Sequence, residues 1–471
     1  MTKTAQRGLL LLLCACSDSL PPPPPPPPPP TVRQVGQWSA VQPAPIVQLH
    51  LHLLLDGKVL SWGRVGDPQV WDPATGSFTA VPSPSRLFCA GHDFLPDGRL
   101  FVAGGHIRDR YGLPNANVFD PGTATWQALP PMAAGRWYPT TMTLPNGDVL
   151  TLAGTDSAAA DVTIPEVWDG TSWRQLTGAG FALPYYPRTF VAPDGRVFYA
   201  GEGRQSLYLD VTGAGRWTGG PQRLFGTRNY GSAVMYEPGK ILYVGGGDPP
   251  TNTAEIIDLN EPNPVWRSTG SMRFPRRQMD ATLLPTGEVL VTGGTEGSGF
   301  NNPVGAVHVA ELWNPATGRW TRMAANRVTR IYHGTTLLLP DGRLLHAGSG
   351  DAGGTVDELN FELYSPPYLF QGPRPTMTGT VPGVVGYGDT VVVETPDAAG
   401  IAKVALIRLG SVTHALDQGQ RLVPLTFSQA ANGVSIAFPA SGMIAPPGPY
   451  MLFLVNGTGV PSKGQIVLLR P

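Results

Sequence analysis

The sequence predicts an all-β protein, in which a seven-bladed β-propeller is followed by a β-sandwich domain. Two repeated turn elements predict the propeller, and the point where both stop predicts the second domain. The composition agrees, since glycine (59 residues) and proline (51) are abundant while charged residues are only 14% of the chain. Such a composition is typical of many short strands joined by tight turns. The net charge of −1 argues against nucleic acid or an anionic membrane surface as a partner.

The first repeated element consists of an apolar residue, a turn of the Asp-Gly kind and a β-rich run. It recurs at Asp56-Gly57, Asp97-Gly98, Asn146-Gly147, Asp194-Gly195, Pro238-Gly239, Thr286-Gly287 and Asp341-Gly342. The spacing of roughly 41 to 55 residues is the range for propeller blades. Glycine pairs follow at Gly104-Gly105, Gly245-Gly246 and Gly293-Gly294, and they indicate kelch-like blades.

The second repeated element is a β-turn closed by an aromatic residue. Its copies begin at Trp71, Phe119 and Trp313, and each lies between two copies of the first element. A turn of this kind is expected in the outer hairpin of a four-stranded blade. Because two different elements keep a constant order, unrelated Asp-Gly turns are a poor explanation. We therefore predict seven blades over residues 35–365.

The repeat breaks at the segment Ser365-Pro366-Pro367-Tyr368-Leu369-Phe370. After it, short β-rich runs such as Thr390 to Glu394 and Tyr450 to Val455 alternate with turn residues. About 100 residues with this pattern predict an immunoglobulin-like β-sandwich, which we place at residues 366–471.

The N-terminus predicts export. Residues 1–16 combine positive charge at Lys3 and Arg7 with a short apolar run, as in a signal peptide. The end of that run, Leu13-Cys14-Ala15-Cys16, resembles a lipoprotein box in which Cys16 is lipidated, and an ordinary secretory signal is the alternative. Residues 17–34 form a Pro-rich linker whose proline tract would hold the folded part roughly 30 Å away from its anchor. We expect a cell-envelope lipoprotein or a secreted protein.

The repeat also predicts a ring of residues around the propeller axis. Residues at one offset from the repeated glycine should lie at one height in each blade, so we take the residue nine positions before it. These ring residues are Gln48, Cys89, Tyr138, Tyr186, Tyr230, Gln278 and His333. All are polar or reactive, and inward-facing polar residues need partners or a ligand. A water-filled channel and a ligand site both remain possible at this point.

Residue chemistry favours a metal on the axis. Imidazole and phenolate together suit a tetragonal Cu(II) site, and Cys89 lies in the blade next to Tyr138. Tyr332 precedes His333 directly, and adjacent side chains in a regular strand face opposite ways. Both can reach one metal only if the backbone bends there.

Five segments resemble those of the copper radical oxidases, the family of galactose oxidase and glyoxal oxidase. They are Phe88-Cys89-Ala90-Gly91, Arg136-Trp137-Tyr138-Pro139-Thr140, Tyr332-His333, Ser365 to Pro375 and Thr413-His414-Ala415, in the family's order. The resemblance spans residues 35 to 471. It implies an exported, copper-dependent oxidase that converts a primary alcohol or small aldehyde with O2 and forms H2O2.

The resemblance also implies a role for each matching residue. Tyr138, His333 and His414 would bind copper in one plane, and Tyr332 would be the axial ligand and general base. Cys89 would form a thioether to Tyr138, and this radical cofactor would store one oxidising equivalent while copper stores the other. The second domain would supply His414. We expect a monomer that acts on a small molecule and O2.

One departure from the family bears on the substrate. Asp156 stands where galactose oxidase has a tryptophan stacked over the cross-link, although Trp137 offers another ring. This favours a glyoxal-oxidase-like enzyme over a galactose-specific one. Arg228, Tyr186, Tyr230 and Gln278 could line the substrate mouth. The alternatives are a non-catalytic kelch-type propeller that binds glycan or protein and, ranked last because no carboxylate pair appears in the ring, a hydrolase or lyase.

Overall fold

The computed structural model describes residues 1–2, 29–352, 355–379 and 381–470. The predicted fold class is confirmed: seven sheets form the blades of a propeller, and a separate seven-stranded sheet follows them. Most of the predicted signal peptide, including Cys16, and most of the proline tract lie outside the described residues. In the part of the chain that is described, every helix falls short of the length and apolarity that a membrane crossing needs.

Each blade begins with an inner strand at the channel and continues outward. Blade 1 consists of His50–Leu53, Val59–Trp62, Gln69–Trp71 and Phe78–Ala80. Blade 2 consists of Gly91–Phe94, Leu100–Ala103, Ala116–Asp120 and Thr125–Leu129, with an inserted hairpin of His106–Arg108 and Tyr111–Gly112. Blade 3 consists of Thr140–Thr143, Val149–Leu152, Glu166–Trp168 and Trp173–Gln175. Blade 4 consists of Thr189–Val191, Val197–Tyr199, Gln205–Asp210 and Arg216–Gln222.

The remaining blades complete the ring. Blade 5 consists of Ser232–Glu237, Lys240–Val244, Ala254–Asp258 and Arg267–Ser268. Blade 6 consists of Arg277–Leu283, Val289–Thr295, Val309–Asn314 and Arg319–Ala325. Blade 7 consists of Gly334–Leu338, Leu344–Gly348 and Asn360–Ser365, with Gln37–Trp38 and Gln42–Pro43 pairing with its third strand. An early segment of the chain therefore closes the last blade, after the short helix Val32–Val35.

A buried ion pair ties the strands together in blades 3, 5 and 6. An arginine two residues before the ring position forms an ion pair with a glutamate in the third strand of the same blade. The pairs are Arg136–Glu166 at 2.9 Å, Arg228–Glu255 at 3.5 Å and Arg276–Glu311 at 2.5 Å. Each arginine also donates Nη1 to the carbonyl oxygen of Ala153, Gly245 or Gly293, respectively. Removing one partner would leave a buried charge unpaired, which is strongly destabilising. These pairs therefore hold in place the segment that leads to the ring position in each of the three blades.

The C-terminal domain has its own apolar core and one curled sheet. Its strands are Val384–Gly386, Thr390–Glu394, Ile401–Arg408, Leu422–Ala430, Gly433–Ala437, Gly448–Asn456 and Gln465–Arg470, with 3₁₀ turns at Pro367–Phe370 and Ala398–Gly400. Between two of these strands, residues 409–421 leave the sheet and enter the propeller. We call this segment the finger. It contains Ser411–Thr413 and Leu416–Asp417, and the first of these extends the sheet of blade 1.

Candidate metal centre

The ring positions predicted from the repeat share an unusual backbone. Six of the seven have a positive φ, between 47° and 67°: Cys89, Tyr138, Tyr186, Tyr230, Gln278 and His333. Left-handed backbone is uncommon for residues other than glycine and persists where the surroundings enforce it. Here the ring residues bond one another across blades, since Tyr138 N donates to Cys89 O (2.9 Å) and Tyr186 N donates to Tyr138 O (3.0 Å).

The same backbone allows Tyr332 and His333 to face one point. The inner strand of blade 7 begins only at Gly334, so both residues lie in a turn. Their rings stack with centroids 4.0 Å apart, and the bend that the sequence required is present. Both side chains are buried.

Four donor atoms from three parts of the chain converge at the axis. The hydroxyl oxygen of Tyr138 lies 2.6 Å from that of Tyr332. Its distances to the Nε2 atoms of His414 and His333 are 2.9 Å and 3.4 Å, respectively. Burial raises the pKa of both phenols well above the ordinary value, so both are protonated when no cation is bound.

Hydrogen bonds set the tautomers of the two histidines. His333 Nδ1 donates to the carbonyl oxygen of Gly350 (2.6 Å), which can only accept. Thr413 Oγ1 donates to Leu49 O (3.0 Å), so it accepts from His414 Nδ1 (2.5 Å). Both Nε2 lone pairs therefore face Tyr138. Burial lowers the pKa of His333 to about 3 and that of His414 well below its ordinary value, which keeps both rings neutral.

Cys89 lies against Tyr138 in a closed apolar cluster. The two side chains pack together with Phe88 and Trp137. The thiol is completely buried, and it lies within hydrogen-bonding reach of Tyr138 and Trp137. Burial raises its pKa well above the ordinary value, so the sulfur is held as a neutral thiol beside the phenol ring.

Trp137, and not residue 156, covers the ring of Tyr138. The two rings stack with centroids 3.7 Å apart and an interplanar angle of 6°. The indole N–H donates to His106 Nδ1 (3.1 Å), which fixes the orientation of the stack. Asp156 instead caps an exposed loop, where its carboxylate accepts the N–H groups of Ala158 (2.8 Å) and Ala160 (3.0 Å).

The finger places His414 at the axis and holds it there from several blades. Strand Ser411–Thr413 pairs with His50–Leu53 of blade 1, so that Thr413 lies opposite His50. Ser232 of blade 5 donates its hydroxyl to Ala415 O (2.8 Å). The second domain therefore seals the channel and supplies one of the four converging donors.

The chain is similar to known oxidases over most of its length. The aldehyde oxidase GLOX of Vitis pseudoreticulata is 31% identical over 82% of this chain and 82% of its own length. The chain belongs to the copper radical oxidase family. A galactose oxidase of Gibberella zeae is 29% identical to this oxidase over 92% of the chain and 70% of its own length. Residues 248–368 match the glyoxal oxidase N-terminus model, and residues 374–469 match the galactose oxidase-like early set domain.

A solved structure extends the comparison to the whole fold. A fungal alcohol oxidase in complex with copper superposes with a TM-score of 0.85 and 25% identity, covering 93% of this chain and 100% of its own. The protein is a copper-dependent oxidase. Its converging atoms fit the ion, because two neutral imidazoles and two phenols form the nitrogen and oxygen donor set that Cu(II) prefers. Each imidazole is oriented through its second nitrogen, as metal-ligating histidines usually are.

A cavity of about 440 Å³ opens beside the donor cluster of the oxidase. Tyr138 and His414 form part of its wall, so the cavity borders two of the four converging residues. The rest of the wall comes mainly from blades 4 and 5: Asp161, Leu183, Pro184, Tyr185, Tyr186, Arg188, Glu202, Asn229 and Tyr230. Two of the predicted mouth residues, Tyr186 and Tyr230, thus lie in this wall. Arg228 and Gln278 lie outside it, and the guanidinium of Arg228 bonds carbonyl groups inside blade 5.

Sequence reasoning missed a chain of buried histidines on the opposite side. Cys89 N donates to His50 Nε2 (3.3 Å), so His50 Nδ1 donates to His92 Nε2 (3.0 Å). His92 Nδ1 in turn donates to Ser411 Oγ of the finger (2.7 Å), which also contacts His52 Nδ1 (3.0 Å). The repeat contained a signal for this histidine chain, because His50 and His92 follow the ring positions of blades 1 and 2 by two and three residues, respectively.

Proposed function

We propose that this protein is an exported copper radical oxidase that oxidises a small primary alcohol or aldehyde with O2 and releases H2O2. The observation that carries the proposal is the convergence of two phenol oxygens and two imidazole nitrogens beside a buried cysteine. The glyoxal-oxidase-like interpretation rests on the small cavity and on the identity to an aldehyde oxidase.

In this proposal Tyr138, Tyr332, His333 and His414 hold the copper ion. Bound copper supplies a one-electron acceptor, and the removal of two electrons from an alcohol requires a second one. Tyr138 is the residue placed to be that acceptor, because its ring is stacked under Trp137 and is almost completely buried. Tyr332, whose oxygen lies 2.6 Å from that of Tyr138, takes the proton of the substrate hydroxyl as general base.

We propose further that Cys89 Sγ is bonded to the ring of Tyr138. The thioether forms when the sulfur loses its hydrogen and a ring carbon loses one hydrogen, so two electrons and two protons pass to O2. The sulfur donates electron density to the phenol ring and lowers the energy needed to oxidise it. The protein would therefore build its radical cofactor from its own side chains.

Turnover then balances in two halves. An alcohol RCH2OH gives its hydroxyl proton to Tyr332 and a hydrogen atom from carbon to the Tyr138 radical, and it leaves as RCHO after losing one further electron. O2 takes up two electrons and two protons and leaves as H2O2. An aldehyde enters the same sequence as its hydrate, which also carries a hydroxyl on a C–H carbon.

Residues 1–16 would be an export signal, with Cys16 as the lipidated residue. Residues 17–34 would be a stiff spacer. The propeller of residues 35–365 and the C-terminal domain of residues 366–471 follow it. The protein would work as a monomer, since propeller and finger together supply the whole site.

The test uses copper-loaded protein in a peroxidase-coupled screen of simple alcohols, glyoxal-type aldehydes and sugars. We expect about one copper ion per chain, H2O2 with small substrates and little with galactose. Intact-mass measurement should give a chain lighter by two hydrogen atoms. In Cys89→Ser that mass difference should vanish.

Cys89→Ser and His414→Ala should each lower turnover by about a thousandfold, the scale of losing a residue that acts in the transition state. His346→Asn serves as the matched control, because His346 is also buried and, within the described part of the chain, hydrogen-bonds only Thr335 and Thr336 of blade 7. Full turnover in Cys89→Ser or His414→Ala would refute the assigned site.

A further inference from the structure

A chain of buried histidines connects the proposed cross-link residue Cys89 to the finger. The backbone N–H of Cys89 donates to His50 Nε2 (3.3 Å), and His50 Nδ1 donates to His92 Nε2 (3.0 Å). His92 Nδ1 then donates to Ser411 Oγ of the finger (2.7 Å). We call His50, His92 and Ser411 the histidine chain. The proposed copper site uses none of these three residues.

Each hydrogen bond of the histidine chain has one direction. A backbone N–H can only donate, so His50 Nε2 accepts from Cys89 and the proton of His50 lies on Nδ1. His92 Nε2 accepts from that Nδ1, which leaves the proton of His92 on its own Nδ1, facing Ser411. Burial lowers the pKa of His50 well below its ordinary value and that of His92 to about 3, so both rings are neutral. Loss of the Ser411 hydroxyl would therefore release the ring of His92, and with it the ring of His50.

The histidine chain replaces a contact that blade 2 lacks. In blades 3, 5 and 6 an arginine two residues before the ring position holds the segment that leads to the ring. In blade 2 that position is occupied by Leu87. Blade 1 holds the segment instead, because Trp62 Nε1 donates to Leu87 O (3.1 Å). His50 stacks on Trp62, with ring centroids 4.9 Å apart, and accepts from Cys89.

The backbone of Cys89 needs such support. Its φ is 65°, a left-handed conformation that a residue with a side chain keeps only where the surroundings enforce it. Cys89 O accepts from Tyr138 N (2.9 Å) and Cys89 N donates to His50, so both polar backbone groups are held. Precise placement matters here, because a misplacement of about 1 Å can slow a reaction between neighbouring groups about a hundredfold.

The finger holds His92 at two points. Ser411 Oγ accepts from the ring of His92, and Gln418 Oε1 accepts from its backbone N–H (3.1 Å). Both finger residues are buried, and strand Ser411–Thr413 leads directly to His414. The segment that delivers His414 to the axis therefore also orients the histidines that hold Cys89.

We propose that His50 and His92 are positioning residues for the thioether. They hold Cys89 against Tyr138, and the docked finger fixes them through Ser411. This inference rests on the cross-link in the proposed function. In that step the S–H bond and one ring C–H bond break, the S–C bond forms, and two electrons and two protons pass to O2, which becomes H2O2. The two histidines orient the sulfur and exchange neither protons nor electrons. The cross-link would thus form after the finger has entered the propeller.

The test follows the rate of cross-linking in protein purified without copper. Copper is added in air, samples are quenched over time, and intact mass gives the fraction of chains that have lost two hydrogen atoms. His50→Leu removes the acceptor for Cys89 and should slow this loss about a hundredfold. His50→Gln, whose side-chain oxygen can accept the same N–H, should bring the rate back to within about tenfold of the parent value. If His50 only filled space, leucine would serve at least as well as glutamine, and that result would overturn the inference.

Ser411→Ala leaves both histidines in place and tests the connection to the finger. It should slow cross-linking about tenfold, as for the loss of one buried hydrogen bond, while the EPR spectrum of bound Cu(II) stays that of the parent protein. An unchanged rate would overturn the inference. A slower rate with a changed copper spectrum would do so too, because it would assign the effect to His414. This variant decides the question even if His50→Leu fails to fold.

His346→Leu is the matched control, because His346 is also buried and bonds Thr336 within blade 7. It should leave the cross-linking rate within about twofold of the parent value, since separate sites act independently. A parent protein that never loses two hydrogen atoms would refute the thioether and this inference together. A parent protein that cross-links no faster than His50→Leu would refute this inference alone.

Discussion

The two sides of the channel differ in what their polar groups contact. On the side of blades 1 and 2, His50 and His92 are fully buried and bond Cys89, each other and Ser411 of the finger. On the side of blades 4 and 5 a cavity remains, and the amide of Gln278 in the next blade is left without a partner among the described residues. We call these the closed side and the open side.

The difference shows how one repeat serves two tasks. Each blade places one residue at the same height around the axis, so the backbone of the repeat does not by itself distinguish the closed side from the open side. The closed side uses its polar groups to hold Cys89 and the finger in place, and preorganised groups of this kind are what a rigid cofactor requires. The open side keeps a cavity beside Tyr138, which is where the proposed substrate would enter and leave.

Blades 3 and 4, which adjoin in the ring, give the sharpest contrast. Arg136 and Glu166 form a buried pair in blade 3 at the entrance to Tyr138. By strand register, Leu207 in blade 4 occupies the position that Glu166 occupies in blade 3. Pro184 lies two residues before the ring residue Tyr186 of blade 4, where blade 3 has Arg136. Blade 3, which carries Tyr138, is tied by this buried pair, and blade 4 has no counterpart of the pair at these two positions.

The largest effect should come from breaking that tie. Glu166→Gln leaves the Arg136 guanidinium charged and buried without its counter-ion, which typically destabilises a protein by about 3–5 kcal/mol. Urea unfolding of the copper-free protein should give this loss. Glu261→Gln, which breaks an exposed pair with Arg267 (2.8 Å), is the control and should change stability by no more than about 1 kcal/mol. Equal losses in the two variants would show that the buried pair does not stiffen blade 3.

The second effect concerns the protection of Tyr138. Trp137→Phe keeps an aromatic ring over the phenol but loses the anchoring bond to His106, so the stack should loosen and solvent should reach the ring. We expect the oxidised, radical form of the copper-loaded enzyme to decay about tenfold faster, the scale of one aromatic contact. Its decay can be followed by absorbance.

The open side supplies the control for that prediction. Tyr185 meets the ring of Tyr138 edge-on at 5.4 Å, and Tyr185→Phe removes only its hydroxyl. The radical should then decay within about twofold of the parent rate, because the edge contact is kept. If Trp137→Phe decayed no faster than Tyr185→Phe, the stack would not protect Tyr138.

The third effect is the contribution of one histidine of the closed side, His52, to the pH dependence of stability. Burial lowers the pKa of His52 well below 6.5, so the folded protein keeps it neutral while the unfolded chain takes up a proton below that pH. The unfolded state then binds more protons, and stability falls as the pH drops through 6.5. His52→Asn should reduce the loss between about pH 7.5 and about pH 5.5 by about 1 kcal/mol.

The parent protein and His52→Asn are compared at the same two pH values. The contributions of the other titrating groups to the free energy of unfolding therefore largely cancel. Urea unfolding of both copper-free proteins at the two pH values measures it. If His52→Asn lost as much stability between the two pH values as the parent protein does, then His52 would be protonated in the folded parent protein, contrary to its burial.

The repeat makes much of the fold predictable from the sequence alone. Turns that need glycine recur at constant intervals, and the offset from them locates Cys89, Tyr138 and His333 at one height around the axis. The second domain follows from the point where the pattern ends. The donor set itself comes from the resemblance to the copper radical oxidases, because no offset connects the finger residue His414 to a propeller blade.

Three features could not be predicted from the sequence, and each depends on contacts between distant segments. The sequence offers Trp137 as an alternative ring over the cross-link, but it does not signal the left-handed backbone of Tyr138 or the parallel stack of these two adjacent residues. The histidine chain needs Ser411 to arrive from the finger. The missing partners of Gln278 can be recognised only when every neighbouring donor and acceptor has been placed.

The smallest effect concerns the charge of the open side. Glu202 lies in the cavity wall, and burial raises the pKa of its carboxyl above the ordinary value, which indicates that it is partly removed from water. Ionised, it repels an anionic aldehyde such as glyoxylate. Glu202→Gln should therefore lower the KM of glyoxylate about threefold and leave that of neutral methylglyoxal unchanged, since interactions near a protein surface are weakened by solvent. High salt should remove the difference between variant and parent, because ions screen the carboxylate. A threefold decrease in KM that persisted in high salt, or that appeared equally with methylglyoxal, would indicate a change in cavity shape. The open side would then lack the electrostatic selectivity that distinguishes it from the closed side.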